Sequence, residues 1–311
     1  MLNVARSTFN GTLSALPGNL QNVPMNHPRN SIHSFSSIRG STGKLETQSW
    51  SVSGEAKCVI GIVHGLGEHC GRYHPVAEQL VREGFHVVGY DQRGHGKTGG
   101  QLPTFESLLE DLACFTSHLK ELHEVVFLYG QSLGGGLVVN FALRNPTYPS
   151  PTTLRGFIAS SPLLRPTIVP PAWKLLVAKK IGRFWPSITL GSGIDPNSLT
   201  HVDAEIEKYR TDPLVHHRVS AALGISMLDA GEWALRHAAS LSIPMLLMHG
   251  SADQVTSSEC SQTFAKEAGR NCQLRLWDGM YHELHFETER EAVLSCAADW
   301  ISNQCSPSHA S

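Results

Sequence analysis

Glu124-Val125-Val126-Phe127-Leu128-Tyr129-Gly130-Gln131-Ser132-Leu133-Gly134-Gly135-Gly136-Leu137 runs from an apolar, β-prone stretch into a helix-forming one across a Gly-x-Ser-x-Gly turn. A buried strand that passes into a helix with only a turn between them makes an elbow. A serine at its apex sits in a strained backbone with its hydroxyl held out. Gly130 and Gly134 have a mechanical reason to flank it, because small residues let strand and helix pack closely beneath. The five-residue pattern by itself also fits a plain glycine-rich turn. Its flanks, and the residues downstream, make Ser132 a candidate nucleophile.

Two partners follow in the order serine, acid, histidine. Ile243 to His249 reads as a buried parallel strand that runs into Gly250-Ser251-Ala252-Asp253, and the strand expected over Gln273 to Trp277 runs into Asp278-Gly279-Met280-Tyr281-His282. Asp253 and His282 therefore fall on loops at strand carboxyl ends, where open α/β sheets collect their reactive groups. His282 is the expected general base for the Ser132 proton, and Asp253 the group that fixes its tautomer and stabilises the imidazolium. A third loop, His64-Gly65-Leu66-Gly67, follows a strand expected over Lys57 to Val63. Here backbone is needed rather than side chains: two N–H donors must meet the oxygen that becomes negative in a tetrahedral intermediate, and Leu66 and Leu133 are the expected pair.

These stretches resemble the monoacylglycerol lipase and lysophospholipase-like branch of the α/β-hydrolases. The matching segments are HGLGEHCGRYHPVAEQL from His64, GYDQRGHGKTGG from Gly89, GQSLGGGL from Gly130, ASSPLL from Ala159, KYRTDPLV from Lys208, PMLLMHGSADQV from Pro244 and WDGMYHELHFE from Trp277. They stand in the family's order and cover about residues 45–303. The resemblance implies a serine ester hydrolase that cleaves monoacylglycerols to fatty acid and glycerol through a Ser132 acyl-enzyme, without cofactor. A lysophospholipase or general carboxylesterase would use the same residues; an acyltransferase or an inert binding module is the more distant alternative. By resemblance, Glu68, Arg72 and His285 line the exit for the alcohol and Tyr209 contacts the glycerol side from a cap. A Glu68–Arg72 ion pair bracing the following helix is the competing reading of the first two. Two departures stand out: Gln131 replaces the histidine usual before the nucleophile, and His216 replaces a cap cysteine of animal relatives.

The alternation of strands over Thr47–Val52, Lys57–Val63 and Phe85–Tyr90 with helices over Gly71–Glu83 and Phe105–Leu122 predicts a mostly parallel sheet with helices on both faces. This is an α/β class architecture of the α/β-hydrolase type. It stops alternating at about Pro162, so a helical cap is expected over about 162–228 within one hydrolase domain of residues 45–303. In that cap, Pro171 to Pro186 places Trp173, Leu176, Val177, Ile181 and Phe184 at helical spacing with Lys174, Lys180 and Arg183 largely opposite. Such a basic amphipathic stretch packs on the core, lines an acyl tunnel or touches a lipid interface. Residues 1–44 contain no Asp or Glu and no apolar period, and are expected to be a disordered tail. Residues 304–311 are expected to form a second tail.

The 311 residues, 41% hydrophobic, suffice for one large core. A net charge of −2 gives no reason to expect nucleic acid, and seven cysteines without paired short spacing read as free thiols of a reducing, cytoplasmic setting. The 17 histidines lack the accompanying ligands of a zinc site, so no metal is expected. No run reaches the roughly 18 apolar residues of a membrane span, so contact with a membrane is expected only at its surface.

Overall fold

The computed structural model describes residues 31–100, 103–144, 154–168, 171 and 188–305. The chain opens with strands β1 (Ile32–Arg39), β2 (Lys44–Ser51) and β3 (Val59–Val63), then helix α1 (His74–Arg82), β4 (His86–Tyr90), helix α2 (Phe105–Leu122) and β5 (Val126–Gln131). Helix α3 (Leu133–Arg144) and β6 (Gly156–Ser160) come next. Beyond them lie the short β7 (Thr189–Gly191), α4 (Asp203–Thr211), β8 (Arg218–Ser220) and α5 (Ala221–His237). The chain closes with β9 (Met245–Gly250), α6 (Ser258–Ala268), β10 (Cys272–Trp277) and α7 (Arg290–Cys305).

Eight strands form one sheet in the order β1-β2-β4-β3-β5-β6-β9-β10. β1 and β2 pair antiparallel, as do β2 and β4, and every other neighbouring pair is parallel. β3, β5, β6 and β9 are buried along their whole length, which is why they read as unbroken apolar runs rather than alternating ones. Helices cover both faces. On one, Phe105, Leu108, Leu112, Phe115 and Leu119 of α2 pack with Leu137 and Val138 of α3 and Leu223 and Met227 of α5. On the other, Val76, Leu80 and Val81 of α1 pack with Val293, Leu294 and Ala297 of α7. The apolar spacing of α2 fits one face of a helix, and Thr104 starts it by accepting from the Ser107 N–H at 3.3 Å.

This order positions the site. From β3 the chain passes through α1 to β4 on one side, and through α2 back to β5 on the other, so β3 and β5 are neighbours whose connections diverge. Such a switch point opens a crevice at the strand carboxyl ends. The loop from His64 and the elbow at Ser132 both emerge there. Gly134 lies so close beneath that a Cβ on it would run into the carbonyl oxygen of Val63, so strand and helix meet at this distance only with glycine.

Four expectations need correction. The sheet begins at Ile32, inside the 1–44 segment expected to lie outside the fold: β1 pairs residue for residue with β2 from Ile32↔Ser51 to Arg39↔Lys44. Its polar IHSFSSIR sequence hides a strand because it lies at the sheet edge and is largely exposed, leaving no apolar alternation to read. Helix α5, which spans the expected cap boundary at 228, packs in the same core as α2 and α3, so the α/β layers resume at Ala221. The cap segment also contains strands, β7 and β8, paired antiparallel. The amphipathic stretch Pro171 to Pro186 lies outside the described residues apart from Pro171. At the other end, α7 continues to Cys305, past the expected start of a tail at 304.

Candidate active site

Ser132 follows β5 directly and has φ of 53°, a left-handed conformation that non-glycine residues adopt only under constraint. The constraint is visible. Its N–H donates to Ser160 O at 3.0 Å, and its carbonyl accepts from Gly136 N and Leu163 N, each at 2.9 Å. Leu133 opens α3, where a helix's first N–H groups have no intrahelical acceptor. The loop after β3 lies against the same serine: a Cβ on Gly65 would sit 3.3 Å from Ser132 Cβ. Leu66 is the next residue in that loop, and Leu133 follows Ser132 directly.

His282 and Asp253 meet at the ends of β10 and β9. His282 Nδ1 lies 2.8 Å from Asp253 Oδ2, and both side chains are buried. The turn after β9 builds the carboxylate's surroundings: Oδ1 accepts from Val255 N at 2.7 Å and Thr256 N at 3.0 Å. Thr256 Oγ1 lies 2.9 Å from Oδ2. Burial alone would raise the Asp253 pKa, but the neighbouring imidazoles of His282 and His249 and their hydrogen bonds hold it well below the usual carboxylate range. Burial likewise opposes charge on His282, yet the Asp253 charge and hydrogen bond outweigh it and raise its pKa above the ordinary 6.5. An imidazole held this way has Nδ1 protonated and Nε2 available to take a proton. Gln131 Nε2 donates to the His282 carbonyl at 3.0 Å, tying the histidine loop to the serine elbow.

Glu68, Arg72, Tyr209 and His285 also come together, linked through Arg72 and Tyr73. Glu68 Oε1 accepts from Gly65 N at 2.5 Å and Tyr73 OH at 2.8 Å, while Oε2 pairs with Arg72. Arg72 is shared with Glu283 in a bidentate pair at 2.7 and 2.9 Å, and its guanidinium lies 4.7 Å from the Tyr209 ring centre. Burial pushes the Glu68 carboxyl up, but Arg72, His64 and the Gly65 N–H pull it down to about 2. His285 stacks on Tyr73 at 4.9 Å, and neither ring nitrogen has a hydrogen-bond partner among the described residues. Burial lowers its pKa to about 3, so the ring is neutral. The cap is pinned to this region through His69 and Asp212 at 2.8 Å and through His216 N, which donates to Gly67 O at 2.8 Å.

Sequence reasoning missed several residues that hold these side chains in place. Glu283 adjoins a recognised residue, its only signal, while Gln131 was noted as a departure at the elbow without its bond to the His282 carbonyl. His249 was legible as the single polar side chain in Met245-Leu246-Leu247-Met248-His249, but a strand's end offers no spacing rule that assigns it a task.

A family model described as serine aminopeptidase, S33, matches residues 54–289. The chain belongs to this hydrolase family. Among the family's relatives, it is 33% identical to the monoglyceride lipase of Rattus norvegicus over 265 residues, covering 82% of this chain and 86% of that one. It is 32% identical over 262 residues to an uncharacterized abhydrolase domain-containing protein of Dictyostelium discoideum, of whose length it spans only 27%. The solved monoacylglycerol lipase of Paleococcus ferrophilus superposes with a TM-score of 0.77 at 32% identity, over 84% of this chain and 99% of that one. The chain is thus an α/β-hydrolase-fold member of the carboxylic ester hydrolases. Among the described residues, no helix is long and apolar enough to cross a membrane.

Proposed function

We propose that this protein hydrolyses monoacylglycerols to fatty acid and glycerol through an acyl-enzyme on Ser132. The observation that supports the reading is the His282 Nδ1–Asp253 Oδ2 contact of 2.8 Å, with the His282 carbonyl tied by Gln131 to the strained elbow that carries Ser132. His282 takes the Ser132 proton as the hydroxyl attacks the ester carbonyl, and Leu66 and Leu133 N–H groups receive the oxyanion. Collapse expels the glycerol alcohol, which recovers the proton from His282. Water, deprotonated by the same imidazole, then releases the fatty acid and restores Ser132. Loss of one oxyanion donor typically costs about a hundred- to a thousand-fold in rate.

The preference for a glycerol head group rests on the monoglyceride and monoacylglycerol lipases that the chain resembles. His285, with both ring nitrogens unpartnered among the described residues, supplies hydrogen-bonding capacity to a glycerol hydroxyl. Glu68 and Arg72 act one step removed, holding the Gly65-Leu66 loop through the Gly65 N–H. The test is a hydrolysis panel on one preparation with monoacylglycerol, lysophosphatidylcholine, triacylglycerol and p-nitrophenyl esters. The reading expects monoacylglycerol to have the highest kcat/KM among the lipids. Faster turnover of lysophosphatidylcholine would replace it with a lysophospholipase.

A further inference from the structure

His249 is the penultimate residue of β9, and its side chain is wholly buried. Its Nε2 lies 3.0 Å from Asp253 Oδ2 and 3.1 Å from the Thr256 carbonyl. Both neighbours are acceptors at neutral pH, so Nε2 carries a hydrogen. Nδ1 lies 2.7 Å from Ser261 Oγ on α6. In a neutral ring that hydroxyl donates to Nδ1, which keeps the hydrogen on Nε2 and directed at the carboxylate. A buried histidine that only filled space would need partners for its nitrogens, but any carbonyl would serve. This one reaches the same carboxylate oxygen that receives His282 Nδ1.

We infer that His249 is a positioning residue that shares Asp253 Oδ2 with His282 and so sets how strongly the acid holds the proton of the base. The inference rests on the Ser132, His282 and Asp253 reading above. A carboxylate's grip on a proton weakens with each further donor that stabilises its charge. Asp253 Oδ1 already receives two main-chain N–H groups, and the Thr256 hydroxyl is divided between Oδ2 at 2.9 Å and Ser161 O at 3.0 Å. Deleting the His249 donor leaves Oδ2 more basic and imidazolium at His282 better stabilised. The other charges near His282 are Glu283 and Glu68, both paired with Arg72, and the neutral His285 beside them. None of these touches His249 in the structure's hydrogen bonds, so their influence is constant across the test.

The base works only when neutral, so the sign follows: without His249 the acid limb of the kcat/KM profile moves to higher pH. The experiment measures that profile with a short p-nitrophenyl ester for the unmodified enzyme, His249→Leu, His249→Gln, Ser261→Ala and Asp253→Asn. His249→Leu should move the limb up by about 0.5 to 1 pH unit. His249→Gln, whose amide restores a donor, should bring it back most of the way. Ser261→Ala, which frees the tautomer, should shift it in the same direction by less. A folded His249→Leu enzyme with its limb unmoved or moved down overturns the inference. Should His249→Leu fail to fold, an unmoved limb in Ser261→Ala does so. Failure of the underlying reading looks different: Asp253→Asn would then retain full turnover, whereas failure of the inference alone leaves Asp253→Asn slower by orders of magnitude and the His249 profile unshifted.

Discussion

Gln131 Nε2 donates to the main-chain carbonyl of His282 at 3.0 Å, so the residue before the elbow serine holds the backbone of its proposed base. Position 131 is where the sequence departs from its family's usual histidine. Gln131→Leu should therefore lower kcat/KM about three- to tenfold, the worth of one buried hydrogen bond. The loss should be equal for a monoacylglycerol and a p-nitrophenyl ester of the same chain length, since both need the base. A loss confined to one of them would mean that residue 131 shapes the pocket floor instead.

The pH dependence follows from His282. Its pKa lies above 6.5 because Asp253 stabilises the charged ring, and it must be neutral to accept a proton. Turnover should accordingly rise with pH through an apparent pKa above 6.5. Asp253→Asn removes the stabilising charge, so the residual activity should show that limb at lower pH, along with a fall in kcat of orders of magnitude from the mis-set tautomer. Parallel profiles for the two enzymes would detach Asp253 from His282.

Glu68 gives a contrast between bracing and head-group binding. Its carboxylate is occupied by Gly65 N, Tyr73 OH and Arg72. Glu68→Ala strands Arg72 against Glu283 alone and unties the Gly65 loop, which should destabilise the fold by about 3 kcal/mol and reduce turnover of both esters alike. His285→Ala should instead lower kcat/KM for monoacylglycerol by about three- to tenfold while sparing the p-nitrophenyl ester. The reverse pattern would exchange the two roles.

The edge strand is a stability question. Deletion through residue 40 removes β1, which pairs along all of β2, and uncovers that strand's edge. Its melting temperature should fall by several degrees below that of a protein deleted through residue 30. Coincident melts would show that β1 adds nothing to the fold.

What could be read in the sequence divides along physical lines. Strands buried on both faces, such as Val59–Val63 and Val126–Gln131, announce themselves as apolar runs, and the residues at their carboxyl ends inherit their places from them. Ser132 and Asp253 were placed that way, at the ends of β5 and β9, whereas His282 follows β10, a largely exposed edge strand read from the alternation in Gln273-Leu274-Arg275-Leu276-Trp277. β1 escaped because an exposed edge strand needs little apolar pattern, and the antiparallel β7–β8 pair because three-residue strands leave hardly any signal. The other partners of Asp253 escaped for another reason. A hydrogen bond between His249 and a carboxylate four residues on depends on a turn's geometry, and no periodicity encodes that. The Glu68–Arg72 pair was legible at its i, i+4 spacing, whereas its link to Glu283 joins residues far apart in the chain.

The acyl-enzyme on Ser132 is tested most directly by intact-mass analysis of the protein quenched during turnover of a slowly deacylating ester, with Ser132→Ala alongside. The account predicts a mass increase equal to one acyl group, located by peptide mapping to Ser132, and neither adduct nor turnover in the alanine variant. Stoichiometric acylation of Ser132→Ala, or full turnover by it, would contradict the account.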